Sequence, residues 1–325
     1  MRALTQWLLG PVWHASLAAT FCYVLPFSGI LAIVIQAFIT LRQGMQKGLV
    51  VALASCLGGV SLGFLINSLF TDVSYVEFTS DLRLGLILSL SVWLIAGFLH
   101  KWVSLVFTTQ VMTVSYMVVF MILFMTNMYI LPENIRQPMS ENAAKVTATI
   151  VEAQNKVELQ EQDQHVILSP EDINQLSNFM VHVFEVLSMY TIQMTILMLA
   201  RFWQSAIFKP NGFRDEFIVV RSGYFISTVL VCLALLSILI QNVTAAYLLG
   251  GVLLIGVIWL FIAGLSLVHW VITNFNLSWL FIVIFYLTLL MPVLSGMIFA
   301  LMIIAALIDG FIDLRAMIKK LNASV

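Results

Sequence analysis

Charged side chains are scarce in this chain: Asp, Glu, Lys and Arg make up only 10% of its 325 residues, whereas 61% of the residues are apolar. Soluble domains contain about 25% charged and about 45–50% apolar residues. A water-soluble fold of this length cannot bury so many apolar side chains, which excludes soluble enzymes, nucleic-acid-binding proteins and disordered scaffolds. The composition therefore predicts an integral membrane protein surrounded by a lipid bilayer.

Cysteine is also scarce, and the common catalytic motifs are missing. The three cysteines, Cys22, Cys56 and Cys232, lie in apolar segments without any CxxC or Cys/His cluster, which predicts packing positions rather than disulfides or a metal site. The sequence contains no HExxH, GxSxG or glycine-rich phosphate loop. We therefore expect no enzymatic activity, no metal and no cofactor. Any energy for transport would have to come from a partner with an ATP site.

Long apolar runs are what the chain has in abundance. A helix needs about 20 mostly apolar residues to cross about 30 Å of hydrocarbon, and scanning for such runs gives eight blocks. Because the runs are continuous and do not alternate with polar residues, they predict an all-α, polytopic bundle of transmembrane helices. The blocks are residues 12–41, 49–70, 84–99, 103–131, 179–203, 223–241, 245–272 and 277–308.

Proline interrupts the first and the last block, at Pro26 and Pro292. Since proline removes an intrahelical hydrogen bond, each block is either one kinked span or two short helices. Splitting both gives ten helices with both termini in the cytoplasm, where eleven of the fifteen Lys and Arg residues then lie, as the positive-inside rule expects. Unbroken blocks give eight spans with both termini outside. We favour the split, in a bacterial inner membrane, although halves of about 15 residues barely span unless the bilayer thins or they form a re-entrant pair.

The segment 132–178 separates two groups of transmembrane helices, residues 1–131 and residues 179–325. It holds eight acidic and three basic residues, which predicts a helical periplasmic segment, either a solvated hairpin or a cap over a cavity or partner site. A helix start is indicated at Pro170, where a preceding serine and two following acids match the preferences of a first turn. We expect that helix to continue into the apolar block at Phe179.

Glu185 is the clearest candidate for chemistry, because ionisable groups inside a membrane are costly and each is a functional candidate. If its helix enters the lipid near Phe179, Glu185 lies about 9 Å deep. His182 precedes it by one turn on the same face. The two side chains predict either a ligand-binding pair or a structural hydrogen bond.

Two stretches assigned to the cytoplasm carry a second group of candidates. In the loop 204–222, with the helix end before it, Phe213 is expected on the membrane while Glu216 and Arg221 face water. In the C-terminal tail, Asp309 and Asp313 share a helix face and are expected to meet arginines of the first stretch. The interpretation is an ion-paired structural seam or a partner-docking surface. Its residues are Arg201, Trp203, Gln204, Phe213, Glu216, Arg221, Asp309, Asp313 and Arg315.

These stretches resemble the YybS-like family of bacterial polytopic membrane proteins over roughly residues 170–320. The matching positions are Arg201, Trp203, Gln204, Pro210, Gly212, Phe213, Glu216, Phe217, His269, Asp309, Asp313 and Arg315. The family has no established activity but is distantly similar to the substrate-binding subunits of energy-coupling-factor transporters. The resemblance therefore implies capture of a small molecule, while the larger number of spans and the acidic segment depart from the plan of those subunits.

Two functions follow as hypotheses. The first is a substrate-binding, transporter-like membrane subunit without its own ATPase, with Glu185 and His182 near a small ligand. The alternative is a membrane scaffold or assembly factor that docks a membrane or cytoplasmic protein through residues 201–221 and the tail.

Overall fold

The computed structural model describes residues 2–24, 29–68, 75–102, 104–129 and 170–323, and within these ranges every regular element is an α-helix. The all-α class predicted from the sequence is therefore confirmed. The helices are α1 (Arg2–Leu8), α2 (Val12–Val24), α3 (Gly29–Gln43), α4 (Met45–Ser68), α5 (Tyr75–Trp102), α6 (Leu105–Tyr129), α7 (Pro170–Phe208), α8 (Gly212–Phe217), α9 (Gly223–Leu239), α10 (Val243–Asn274), α11 (Trp279–Leu290), α12 (Pro292–Ile312) and α13 (Leu314–Ala323).

Five apolar segments in the described part of the chain are long enough to cross a membrane, which agrees with an integral, multi-pass membrane protein. They are Met45–Ile66, Leu105–Thr126, Phe179–Phe208, Val243–Asn274 and Leu294–Ile312. Four shorter apolar segments are Gly29–Gln43, Gly85–His100, Gly223–Leu239 and Trp279–Leu290. A helix of 15 residues is only about 22 Å long, so the number of crossings, eight or ten, stays a prediction.

Both proline-containing blocks are divided into two helices. In the last block, one helix ends at Leu290 and the next begins at Pro292. Proline is well tolerated at the first position of a helix, because the N–H that it lacks would have no acceptor within the helix there. In the first block, α2 and α3 pack against each other side by side, so they are two helices rather than one continuous span. Pro26 itself lies outside the described residues.

Helix α7 is described from Pro170 and runs without a break through the apolar segment to Phe208, so its predicted continuation past Phe179 is confirmed. The predicted start at Pro170 stays a prediction. Its 39 residues correspond to about 58 Å, so the helix is longer than the bilayer is thick. The rest of the acidic segment, up to residue 169, lies outside the described residues, and the choice between hairpin and cap stays open.

The chain divides into two compact units, whose boundaries fall inside α6, inside α7 and between α8 and α9. The first unit contains Met1–Met112 and Thr191–Val220. Its centre is α3, in which all ten residues from 32 to 41 are buried, so neighbours surround this short helix on every face. Gly59 lets α4 approach α2 closely, because a Cβ at this position would lie 2.3 Å from the Cβ of Tyr23.

The second unit contains Thr113–Tyr190 and Arg221–Val325. Its centre is α10, a helix of 32 residues with the fully buried Trp259. Glycines bring this helix close to its neighbours: a Cβ at Gly251 would meet the ring of Phe120 at 2.1 Å, and one at Gly264 would lie 2.7 Å from the carbonyl oxygen of Met302. These glycines thus let neighbouring helices of this unit approach closely, as small residues do in membrane bundles generally.

Candidate functional site

The predicted ligand pair lies on α7 with its two members in different surroundings. His182 is buried at 8% exposure, whereas Glu185 is exposed within its own unit. No hydrogen bond or ion pair between the two side chains occurs among the described contacts. The apolar segment Phe179–Phe208 has 30 residues, about 45 Å, so it exceeds the hydrocarbon thickness and allows Glu185 to lie near the headgroups. The ligand role of the pair stays a prediction.

Arg201 organises one group of polar side chains in the first unit, here called the Arg201 cluster: Arg201, Gln204 and Glu216. Its Nε donates to Glu216 Oε2 at 2.8 Å and its Nη2 donates to Oε1, so the carboxylate is bound through both oxygens. The remaining Nη1 donates to Gln204 Oε1. The side chains of Arg201 and Glu216 are 17% and 26% exposed. This two-point geometry satisfies both charges within the protein.

Trp203 and Phe213 hold this cluster in place. Trp203 Nε1 donates to Thr5 Oγ1 at 3.2 Å, and its ring stacks on Phe38 with the centroids 5.0 Å apart. The backbone N–H of Phe213 donates to Ser205 Oγ at 2.7 Å, which fixes α8 against the end of α7. Both aromatic residues therefore have structural contacts inside the first unit.

A second group, here called the Asp309 cluster, is buried in the second unit and consists of Ser266, Asp309 and Arg315. Arg315 Nε donates to Asp309 Oδ2 at 3.0 Å, and Arg315 Nη2 lies 3.4 Å from Ser266 Oγ. The Arg315 and Asp309 side chains are 9% and 2% exposed. Burial lowers the pKa of the Arg315 guanidinium, and the adjacent Asp309 carboxylate opposes that shift. Asp309 Oδ1 is buried and has no hydrogen-bond partner among the described residues.

Asp313 joins the end of α12 to the start of α13. Its backbone is left-handed, with φ 47°, and its Oδ1 accepts the N–H of Ala316, which caps α13. Its Oδ2 lies 2.5 Å from Nη1 of Arg221, an ion pair between the two stretches of the kind the sequence predicted. The hydrogen bond to Arg221 is the main reason that the pKa of Asp313 lies below its usual value.

Two expectations about these residues need correction. Glu216 does not simply face water, because its carboxylate is bound by Arg201 across the turn between α7 and α8. Asp309 does not pair with an arginine of the 201–221 stretch in the described contacts but with Arg315. The left-handed Asp313 is the reason, since it reverses the chain and returns Arg315 to the preceding turn of α12.

A different set of polar residues, here called the amide layer, lies inside the first unit: Gln36, Gln193, Tyr23, Ser89 and Ser91. Gln36 Nε2 donates to the backbone carbonyl of Ser89, and the hydroxyls of Tyr23 and Ser89 lie 2.8 Å apart. Gln193 Nε2 donates to Ser91 Oγ at 2.6 Å. Both amides therefore reach the same turn of α5, one from α3 and the other from α7.

The amide oxygens of this layer are its unusual feature. Gln36 and Gln193 are 0% and 2% exposed, and neither Oε1 has a hydrogen-bond partner among the described residues. The hydroxyl of Ser91 donates to the carbonyl of Ile87 and accepts from Gln193 Nε2. A buried acceptor without a donor costs about 1–3 kcal/mol.

Sequence reasoning missed the amide layer because it searched the apolar blocks only for ionisable residues. The available signal was the position of the two glutamines. Gln36 is the middle residue of the apolar segment Gly29–Gln43, and Gln193 lies at the middle of Phe179–Phe208. A neutral amide at the centre of an apolar segment is expensive for the same reason as a charge, though less so.

Neither the arrangement of possible metal ligands nor the comparison with known proteins assigns a function to these residues. Within the described ranges, no group of three or more His, Cys, Asp or Glu side chains is arranged to hold a metal ion. Comparison of the chain with protein-family models, with curated proteins and with solved structures finds no match.

Proposed function

We propose that this multi-pass membrane protein captures a small polar molecule between its helices, as a transporter-like substrate-binding subunit in a bacterial inner membrane. The observation that carries the proposal is α3. This helix is the second of two helices that share one proline-containing apolar block and pack against each other. It is buried on every face over residues 32–41 and still has the polar side chains of Gln36 and Thr40 in that stretch. In transporters, interrupted helices commonly form substrate sites near the middle of the bilayer.

Interruption recurs in the second unit, which supports the same proposal. Helix α11 ends at Leu290 and α12 starts at Pro292. Interrupted apolar segments in both halves of a membrane protein are a known pointer to substrate binding. The chain has no nucleotide-binding motif, so in this proposal a partner supplies any energy. The YybS-like resemblance agrees with this proposal and remains an expectation.

Native mass spectrometry of the full chain, purified in mild detergent, tests this function. We expect one small molecule per protein, released and identified after denaturation. Glu185→Gln tests the predicted ligand role of that residue, and loss of the bound molecule in this variant would support it. A ligand-free protein in every preparation would overturn the proposal.

A scaffold is the second candidate, favoured by a row of aromatic rings on the first unit. Phe202 is 53% exposed and contacts Phe213 edge to face, and Phe213 stacks on Phe217 at 5.7 Å. Such a row suits a bilayer surface or a protein partner. Because Arg201 and Glu216 bind each other, a partner would contact the rings rather than these charges. Ligand-free protein that co-purifies with another membrane complex would support the scaffold.

A further inference from the structure

The two unmatched oxygens of the amide layer have the same chemistry. Each belongs to a carboxamide whose nitrogen already donates to α5, through the Ser89 carbonyl for Gln36 and through Ser91 Oγ for Gln193. In the described part of the first unit, these two carbonyl oxygens are the buried side-chain atoms that lack a hydrogen-bond partner. Both are acceptors, so a complementary group has to donate hydrogen bonds.

Their position fits a binding site. Gln36 and Gln193 occupy the middles of their apolar segments, and their amides bond to α5 at residues 89 and 91, whose helical rise differs by about 3 Å. Helix α7 also packs on α3 through the stacked rings of Phe38 and Trp203. Helices α3, α5 and α7 therefore meet around the layer, at the depth where membrane transporters bind their substrates.

The lack of buried charges around the amide layer restricts the charge that a ligand can carry. The buried polar residues in the described part of the first unit are Thr, Gln and Ser, without any Lys, Arg, Asp or Glu. An ionised ligand at this depth would have no counter-charge, which is costly in a low-dielectric interior. The unmatched carbonyl oxygens repel anions in particular. An uncharged molecule with N–H or O–H groups is the chemical complement.

We propose that the amide layer binds a small uncharged solute, whose N–H or O–H groups donate hydrogen bonds to Gln36 Oε1 and Gln193 Oε1. This inference rests on the proposed function and names the site and the chemical class of its ligand. Tyr23 and Ser89 position the Gln36 amide and are not required to touch the solute.

Two small amides provide matched probes. Acetamide is uncharged and has N–H donors, whereas N,N-dimethylacetamide has a similar carbonyl group and no N–H. Thermal unfolding of the full chain in detergent is followed with increasing concentrations of each. We expect acetamide to raise the Tm saturably by about 1–3 °C. Saturation should require roughly millimolar acetamide, because a ligand with so few atoms binds weakly. Dimethylacetamide should give no saturable rise.

Gln36→Met and Gln193→Met remove the amides while they keep an unbranched side chain of similar length. We expect each to abolish the acetamide response. Thr108→Val is the control, because it removes a buried hydroxyl that donates to the carbonyl of Ser104, one turn earlier in the chain. Its response should equal that of the unaltered protein. No saturable rise with acetamide, an equal rise with dimethylacetamide, or a rise that persists in both glutamine variants would overturn the inference.

The failure of this inference differs from the failure of the proposed function. If mass spectrometry finds a bound molecule in the unaltered protein and in both glutamine variants, the function stands and the site is elsewhere. If no preparation contains a bound molecule, the function itself fails.

Discussion

The Arg201 cluster and the Asp309 cluster each join an arginine to a carboxylate, but they differ in burial and in completeness. Glu216 uses both oxygens to bind Arg201 at a half-open site. Asp309 binds Arg315 through one oxygen in a site that is almost closed to solvent, and its second oxygen has no described partner. Desolvation makes a charge more dependent on its partner, so similar pairs should respond very differently to mutation.

The largest difference is expected for Arg315→Leu. This change leaves the Asp309 carboxylate buried without a counter-charge, and we expect the free energy of unfolding to fall by about 3–5 kcal/mol. Unfolding by SDS in mixed micelles, followed by tryptophan fluorescence, measures the change. The double variant Asp309→Leu/Arg315→Met should recover most of the loss, because no buried charge then remains. If Arg315→Leu lowers the free energy of unfolding no more than Glu216→Gln does, the two clusters do not differ in the way proposed.

Gly264→Ala tests whether close helix packing holds the Asp309 cluster together. A Cβ at this position would lie 2.7 Å from the Met302 carbonyl oxygen, so α10 and α12 have to separate, at a cost of about 1–3 kcal/mol. Gly296→Ala is the matched control, since a Cβ there meets nothing within 4 Å. Equal stability of the two variants in the same unfolding assay would contradict the packing account.

Glu216→Gln should cost about 1 kcal/mol, because the Arg201 cluster is partly open and water replaces some of the lost interaction. High salt should reduce this difference, as it screens an accessible pair. Measurement of both proteins at low and high salt gives the comparison. A cost as large as that of Arg315→Leu would mean that burial does not determine the response.

The smallest effect is expected for the Arg221–Asp313 pair, whose side chains are each 44% exposed. The hydrogen bond to Arg221 is the main reason that the folded-state pKa of Asp313 lies below its ordinary value of 3.8. The pair therefore stabilises the protein at pH values above 3.8. This contribution is lost as the pH falls through the lowered pKa. Arg221→Gln should therefore differ slightly from the unaltered protein at neutral pH and converge with it in acid. A stability difference between the two proteins that persists in acid would contradict this predicted pH dependence.

The sequence predicted those features that depend on local rules. Continuous apolar runs predicted the all-helical bundle and the unbroken helix through Phe179, and proline chemistry predicted the division at Pro292. The partner of Asp309 was not predictable in this way, because several arginines were within plausible reach. The deciding feature is a left-handed Asp313, a conformation that a non-glycine residue adopts only when its surroundings stabilise it.

The amide layer escaped prediction for a related reason. A glutamine in an apolar run is compatible with many partners, and only the fold reveals that Gln36 and Gln193 donate to one turn of α5 and leave both oxygens unmatched. The position of each residue at the middle of an apolar segment was visible in the sequence. A search for central polar residues, charged or not, would have found both.

The central claim is that polar side chains in the middle of the apolar helices bind a small molecule. The most direct measurement is native mass spectrometry of the full chain beside the double variant Gln36→Met/Gln193→Met, with Thr108→Val as the control. The account predicts one bound small molecule in the unaltered protein and in the control, and none in the double variant. Equal occupancy in all three proteins, or an empty unaltered protein, would contradict it.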